Sequence, residues 1–162
     1  KIKYYTIIKI MKFNVNQQDL QQALSYCQGV IEKRSTLPIL SNILLDASNS
    51  RLMITATDLD LIFIHKLNNV EIIEEGKTTT TSSIMYDIIR KFSSGKKINL
   101  TLTDTSKLHL ESEKSIFNLN CLSASEFPLT DENFNQNVFL IKSKRLLKLS
   151  YEIKDNRNID AM

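Results

Sequence analysis

The sequence predicts an α+β domain in which one sheet carries two helices on a single face, assembled from two halves that each run strand, helix, three strands. Three observations carry this. An apolar stripe at i, i+3, i+4, i+7 occurs at Leu20, Ala23, Leu24 and Cys27, and again at Met85, Ile88, Ile89 and Phe92. Each stripe is followed by β-prone runs separated by Asn, Ser and Asp turns. The spacing of the copies, roughly 60–65 residues, is too long for a solenoid repeat and about half a domain.

Taken in order, "KFNV" is a short strand leading to Asn16, an N-cap residue with Asp19 three positions on, and a helix running to about Tyr26. Three strands follow, "SNILLDAS", "RLMITATDLDLIFIHKL" and "NVEIIEEG". In the long middle run the alternation of Ile54 and Ala56 shifts to Leu59, Leu61 and Phe63 after Asp58, which predicts a bulge at that point. Leu37, Ile39, Leu44, Ile54, Leu61 and Phe63 are the expected core beside it. The second half begins with "TTTT", takes Ser82 or Ser83 as cap, and continues through its helix into "KINLTLTD", "KLHLESE" and "SIFNLNCLS". With three glycines in the chain, turns such as "DASNSR" and "TDTSK" must rely on Asn, Asp and Ser. A third copy starts at "NVFLIKSKRLLKLSYEI", with Ser143 as cap and Leu146, Leu149, Ser150 and Ile153 at the same offsets.

At 162 residues the chain holds one domain and a little more. Its 42% hydrophobic and 24% charged content is ordinary for a globular protein and argues against disorder. A net charge of +3 permits a nucleic-acid partner without requiring one. Cys27 and Cys121 sit far apart inside apolar patterns, as buried thiols of a reducing compartment such as the cytoplasm do. No apolar run approaches the roughly 18 residues of a membrane span, and "KIKYYTIIKI" lacks the features of a secretory signal. Because "MKFNV" at Met11 reads as a natural beginning, residues 1–10 are expected to be a loose extension.

Asp58 and Asp60 raise the question of chemistry, since two carboxylates at i and i+2 of a strand share a face and could hold a metal or act on a substrate. The structural reading, in which Asp58 caps loose backbone N–H groups, is favoured because no further cluster of His, Cys or carboxylates completes a site. His65 and His109 stand alone on strands. "TTTTSS" has no base nearby and reads as strand and helix start, and the chain has no Gly-rich phosphate loop. Neither cofactor nor catalytic residue is expected.

Four stretches, "MKFNV" at 11–15, "RSTLPILSNILLDAS" at 34–48, "ITATDLDL" at 54–61 and "FNLNCLSASEFP" at 117–128, resemble the bacterial DNA polymerase III beta subunit family, the sliding clamps. The likeness runs from Met11 to about Tyr151, and "EIKDNRNIDAM" beyond it no longer resembles the family. The resemblance implies a head-to-tail dimeric ring of three-domain subunits, with helices lining the hole and sheets on the rim. In such a ring residues 11–137 would be the first domain and 138–162 an incomplete start of the second. It also implies a non-catalytic processivity role on double-stranded DNA, with DNA polymerase III and the clamp loader as partners of the full-length family. The family's partner-peptide pocket lies between the second and third domains, and this chain should lack it.

Carried over by position, Arg34 matches an arginine that approaches DNA, with Lys33 beside it. Arg90 and Lys91 fall on the second helix, and Lys144 and Arg145 match a basic pair on the second domain's inner helix. Phe117 and Ile84 fall where neighbouring subunits meet. Gln17, Gln18, Gln21 and Gln22 give the first helix a polar face able to reach phosphates without strong Coulomb attraction. Many family members are more basic there, so weaker attraction is expected. The alternative reading is a protein-interaction module without DNA binding, acting through an exposed sheet edge.

Overall fold

The computed structural model describes residues 11–31, 37–104 and 106–128. β1 (Lys12–Asn16) runs directly into α1 (Gln17–Cys27). Asn16 is extended, and its side-chain oxygen accepts from the N–H of Gln18 at 2.8 Å, satisfying one of the free donors of the first turn. The predicted stripe is the buried one, with Leu20, Ala23, Leu24 and Cys27 all inaccessible. A 3₁₀ turn (Pro38–Ser41) then leads to β2 (Asn42–Ser48), β3 (Arg51–Thr57), β4 (Ile62–Leu67) and β5 (Val70–Glu74). The second half comprises β6 (Gly76–Thr81), α2 (Ser82–Ile89), β7 (Lys97–Asp104), β8 (Lys107–Ser112) and β9 (Ser115–Leu122), and closes on a 3₁₀ turn at Ala124–Glu126.

Among the described residues nine strands form one antiparallel sheet in the order β4-β3-β2-β6-β9-β8-β7-β1-β5. The leading strand of each half pairs into the other half's strands, β1 with β7 and β6 with β2. Neither half can therefore complete its sheet alone, and the repeat builds one domain. The two helices pack against each other over a common core that includes Phe13, Ile43, Leu45, Ile54, Met85, Ile98 and Leu100. At the centre β6 and β9 share a ladder only at Thr79–Leu122 and Thr80–Cys121. Threonine hydroxyls extend this short seam: Thr79 Oγ1 donates to the Leu122 carbonyl at 3.2 Å and Thr80 Oγ1 to that of Asn120 at 3.0 Å. The threonine run is thus a stitch between the halves.

Three local expectations are corrected. The run 54–67 is two strands rather than one bulged strand, because β3 and β4 pair antiparallel from Thr57–Ile62 to Leu52–Leu67 around a tight turn at Asp58. The first half consequently has four strands after its helix, and β4 is the added one, pairing with β3 at one end of the sheet. Thr81, not Ser82 or Ser83, occupies the N-cap of α2 and makes no side-chain cap bond; Ser82 is buried in the first turn. Of the expected core, Leu44 and Ile54 are buried and Phe63 packs against it half-buried, whereas Leu37 (49%) and Leu61 (53%) are exposed. Ile39 is half-buried. The reversal at Asp58 puts Leu61 in the turn, outside any sheet face.

The β2–β3 turn has both central residues at positive φ, Asn49 at 50° and Ser50 at 56°, the twist a two-residue hairpin needs. Glycine matters most at Gly76, where a Cβ would lie 2.8 Å from that of the buried Met11.

Candidate nucleic-acid interface

The helices are tied together at both ends by glutamine amides. At one end Gln17 Nε2 donates to the Ile89 carbonyl at 2.9 Å, satisfying an orphan acceptor at the end of α2. At the other, Gln28 Nε2 donates to Ser82 Oγ at 2.8 Å. The start of each helix is thus fastened to the end of its neighbour, so the pair is antiparallel. Between their outer surfaces runs an open groove of about 490 Å³, lined by Gln18, Gln21, Gln22 and Ser25 of α1 and by Tyr86 and Arg90 with Ser94 across from them.

The groove is amide- and hydroxyl-rich. Gln18 Nε2 donates to Ser94 Oγ at 2.7 Å, and Gln22 Nε2 donates to the hydroxyl of Tyr26, four residues on along the same helix, at 2.9 Å. Among the described residues its lining holds one cation, Arg90. The guanidinium carbon of Arg90 lies 5.4 Å from the centroid of the Tyr86 ring, and one nitrogen is 3.6 Å from the Asp87 carboxylate. Such a surface can take phosphate oxygens through amide, hydroxyl and guanidinium donors. No group of three or more potential metal ligands occurs among the described residues.

The predicted site residues divide accordingly. Arg90 lines the groove and Lys91 is exposed at the end of α2. Gln18 and Gln22 are exposed on α1 and Gln21 is half-buried, but Gln17 is only 2% exposed and its amide is committed to the helix tie, with Oε1 buried and unpartnered. Gln17 is a positioning residue, because the first residue of α1 faces the partner helix. Lys33, Arg34, Lys144 and Arg145, with the Ser143 helix start, lie outside the described residues. Phe117 sits half-buried with its ring edge-on to Phe92 at 5.5 Å, and Ile84 is 51% exposed on α2.

Sequence reasoning missed Lys96, which ends the loop between α2 and β7, and Lys97, which opens β7, although "SSGKK" with its glycine signals a basic turn. Both are held by acids. Lys96 pairs with Glu113 at 3.1 Å and Lys97 with Glu71 at 3.6 Å. The Glu113 carboxyl is held below its usual range by Lys96 and then Ser93, that of Glu71 by Asn14 and then Lys97. Asp58 fulfils the structural reading: its Oδ1 accepts from the N–H groups of Asp60 at 3.1 Å and Leu61 at 2.7 Å. Both cysteines are buried, and burial pushes the Cys27 thiol up to about 12. No described helix is long and apolar enough to cross a membrane.

A doubled strand-helix-strand domain with an antiparallel, polar-faced helix pair defines a clamp-type domain. Residues 11–131 match the family described as DNA polymerase III beta subunit, N-terminal domain, and the chain belongs to that family. The beta sliding clamp of Caulobacter vibrioides is 34% identical over 140 residues, covering 86% of this chain and 37% of that protein. The beta sliding clamp of Escherichia coli K12 is 31% identical over 139 residues, covering 86% and 38%. Among solved structures, a Caulobacter crescentus beta sliding clamp superposes with a TM-score of 0.71 at 38% identity, covering 75% of this chain and 32% of that one. A Bartonella birtlesii DnaN sliding clamp bound to griselimycin also gives 0.71, at 34% identity, covering 75% and 32%. The chain spans a little over a third of the length of the curated relatives it matches.

Proposed function

We propose that this chain is the N-terminal portion of a DNA sliding clamp, a non-catalytic processivity subunit whose helix pair faces double-stranded DNA. Residues 11–137 form the first clamp domain in this reading, and 138–162 open the second. The observation that carries it is the groove, whose outward donors are amides and hydroxyls around a single arginine. Sliding needs phosphate contacts that are weak and replaceable, with retention left to ring closure in the full-length family. Amide donors without net charge meet that need.

Phe117 belongs to β9, whose edge from Ser115 to Leu119 pairs with no described strand on the side away from β8. We assign this edge to the neighbouring subunit of a ring. The same feature supports the second reading, an interaction module that binds no DNA.

Fluorescence anisotropy on two unrelated duplexes at several salt concentrations separates the two. With about 2–4 phosphates engaged, log K should fall with log salt at a slope near −2 to −4, with affinity at the weak end, roughly 10⁻⁴ M, at physiological salt. Neither duplex should be preferred, and Arg34→Ala should make the slope shallower by about one. Tight binding that survives high salt, or a sequence preference, would overturn the clamp reading. An absence of binding at low salt would favour the interaction module.

A further inference from the structure

α2 carries a carboxylate for which its own stability supplies no reason. Asp87 lies in the last turn of the helix, at the negative end of the macrodipole, where an acidic side chain is unfavourable. Its ion pair with Arg90 is loose at 3.6 Å, and the two side chains are 66% and 56% exposed, so the pair adds little to the fold. Yet Arg90 is the single described cation lining the interhelix groove. Its guanidinium has two intramolecular partners, the Tyr86 ring and the carboxylate. The ring holds it at the groove while leaving its N–H groups free to bond oxygens.

We propose that Asp87 is an internal competitor for the site on Arg90 that a DNA phosphate would take. Carboxylate and phosphate oxygens accept from the same guanidinium donors, so a phosphate arriving at Arg90 must displace Asp87, and Asp87 returns when that phosphate moves on. A contact of this kind exchanges readily and suits a surface along which a duplex moves. The inference rests on the groove being the DNA-facing surface.

The test is a double-mutant cycle in the full chain, with Asp87→Asn, Arg90→Gln and the double variant titrated against one labelled duplex at several low salt concentrations. Removing the competitor should tighten binding about 1.5- to 5-fold, the range an exposed pair commands. It should also steepen the salt slope by up to about 0.9, the value of one added phosphate contact. Arg90→Gln should weaken binding, and in its background the Asp87→Asn gain should vanish. Asp87→Ala should reproduce the gain, and neither Asp87 variant should lower the melting temperature, because the helix dipole disfavours the acid. A gain that persists without Arg90 would be a general charge effect and overturns the proposal, as does an unchanged affinity in Asp87→Asn when the parent chain binds. If the parent chain shows no duplex binding at the lowest salt, the DNA-facing reading itself falls and takes the proposal with it.

Discussion

Replacing Asp58 by alanine should destabilise the domain by unfastening the β3–β4 turn while leaving the sheet ladder itself intact. Oδ1 of Asp58 gathers the N–H groups of Asp60 and Leu61, and the turn it closes holds Leu59 at φ 81°. Loss of an acceptor of this type costs about 1 kcal/mol, with a range of 0.5–2, when alanine replaces a capping side chain. The freed N–H groups stay in reach of water, so no further desolvation penalty is added. Part of the cost is offset as Leu59 relaxes from a left-handed conformation that itself costs about 1 kcal/mol for a non-glycine residue. The expected net loss is about 0.5 kcal/mol, or roughly 2 °C in melting temperature for a domain of this size. Asp58→Asn keeps an acceptor oxygen in place and should lose less than about half of that. Urea denaturation followed by far-ultraviolet circular dichroism measures both, with an unchanged m-value expected. Equal loss in the Asn and Ala variants would show that charge, not the acceptor, holds the turn. A divalent cation bound at Asp58 and Asp60 in calorimetry would refute the structural assignment outright.

Gly76→Ala should cost about 1–3 kcal/mol by overpacking, because the new methyl would meet the Cβ of buried Met11 at 2.8 Å; a chemical denaturation curve matching the parent would show that the strand start can shift. Burial holds His65 below its usual value, so between the unfolded and the lower folded pKa the unfolded chain binds more protons. The His65 contribution is therefore complete above about pH 6.5 and is lost as pH falls through the folded value, and His65→Phe should flatten the stability profile in that window. Cys27, with its thiol raised to about 12, and buried Cys121 should resist a disulfide reagent at pH 8 in the native protein and react on unfolding. Prompt native labelling would contradict their burial.

Much of the architecture was legible in the residues. The i, i+3, i+4, i+7 stripes located both helices, with the whole buried face of α1 and, on α2, Met85 and Ile89 buried and Ile88 half-buried while Phe92 falls beyond the helix end. Asn16 marked the first helix start, because periodicity and capping are local properties of a short segment. The strands after α2 were legible for the same reason. The reversal at Asp58 was not, since Ala56 to Phe63 carries no glycine or proline and its closing contacts come from Asp58 itself, which reads equally as a bulge or a turn. Nor could the sequence say that Thr78–Thr81 stitches one half to the other, or that β1 and β6 exchange between halves. Those pairings join residues far apart in the chain, and which edge meets which is decided only when the whole sheet closes. The site divides along the same line. The sequence supplied its chemistry, a polar first helix and Arg90 on the second. The tertiary packing decided its geometry: it consumed Gln17 in an interhelix bond, set Arg90 between Tyr86 and Asp87, and brought Ser94 across to Gln18. A side chain's type is written in the sequence, but whether it faces solvent or a neighbour depends on what the fold packs against it.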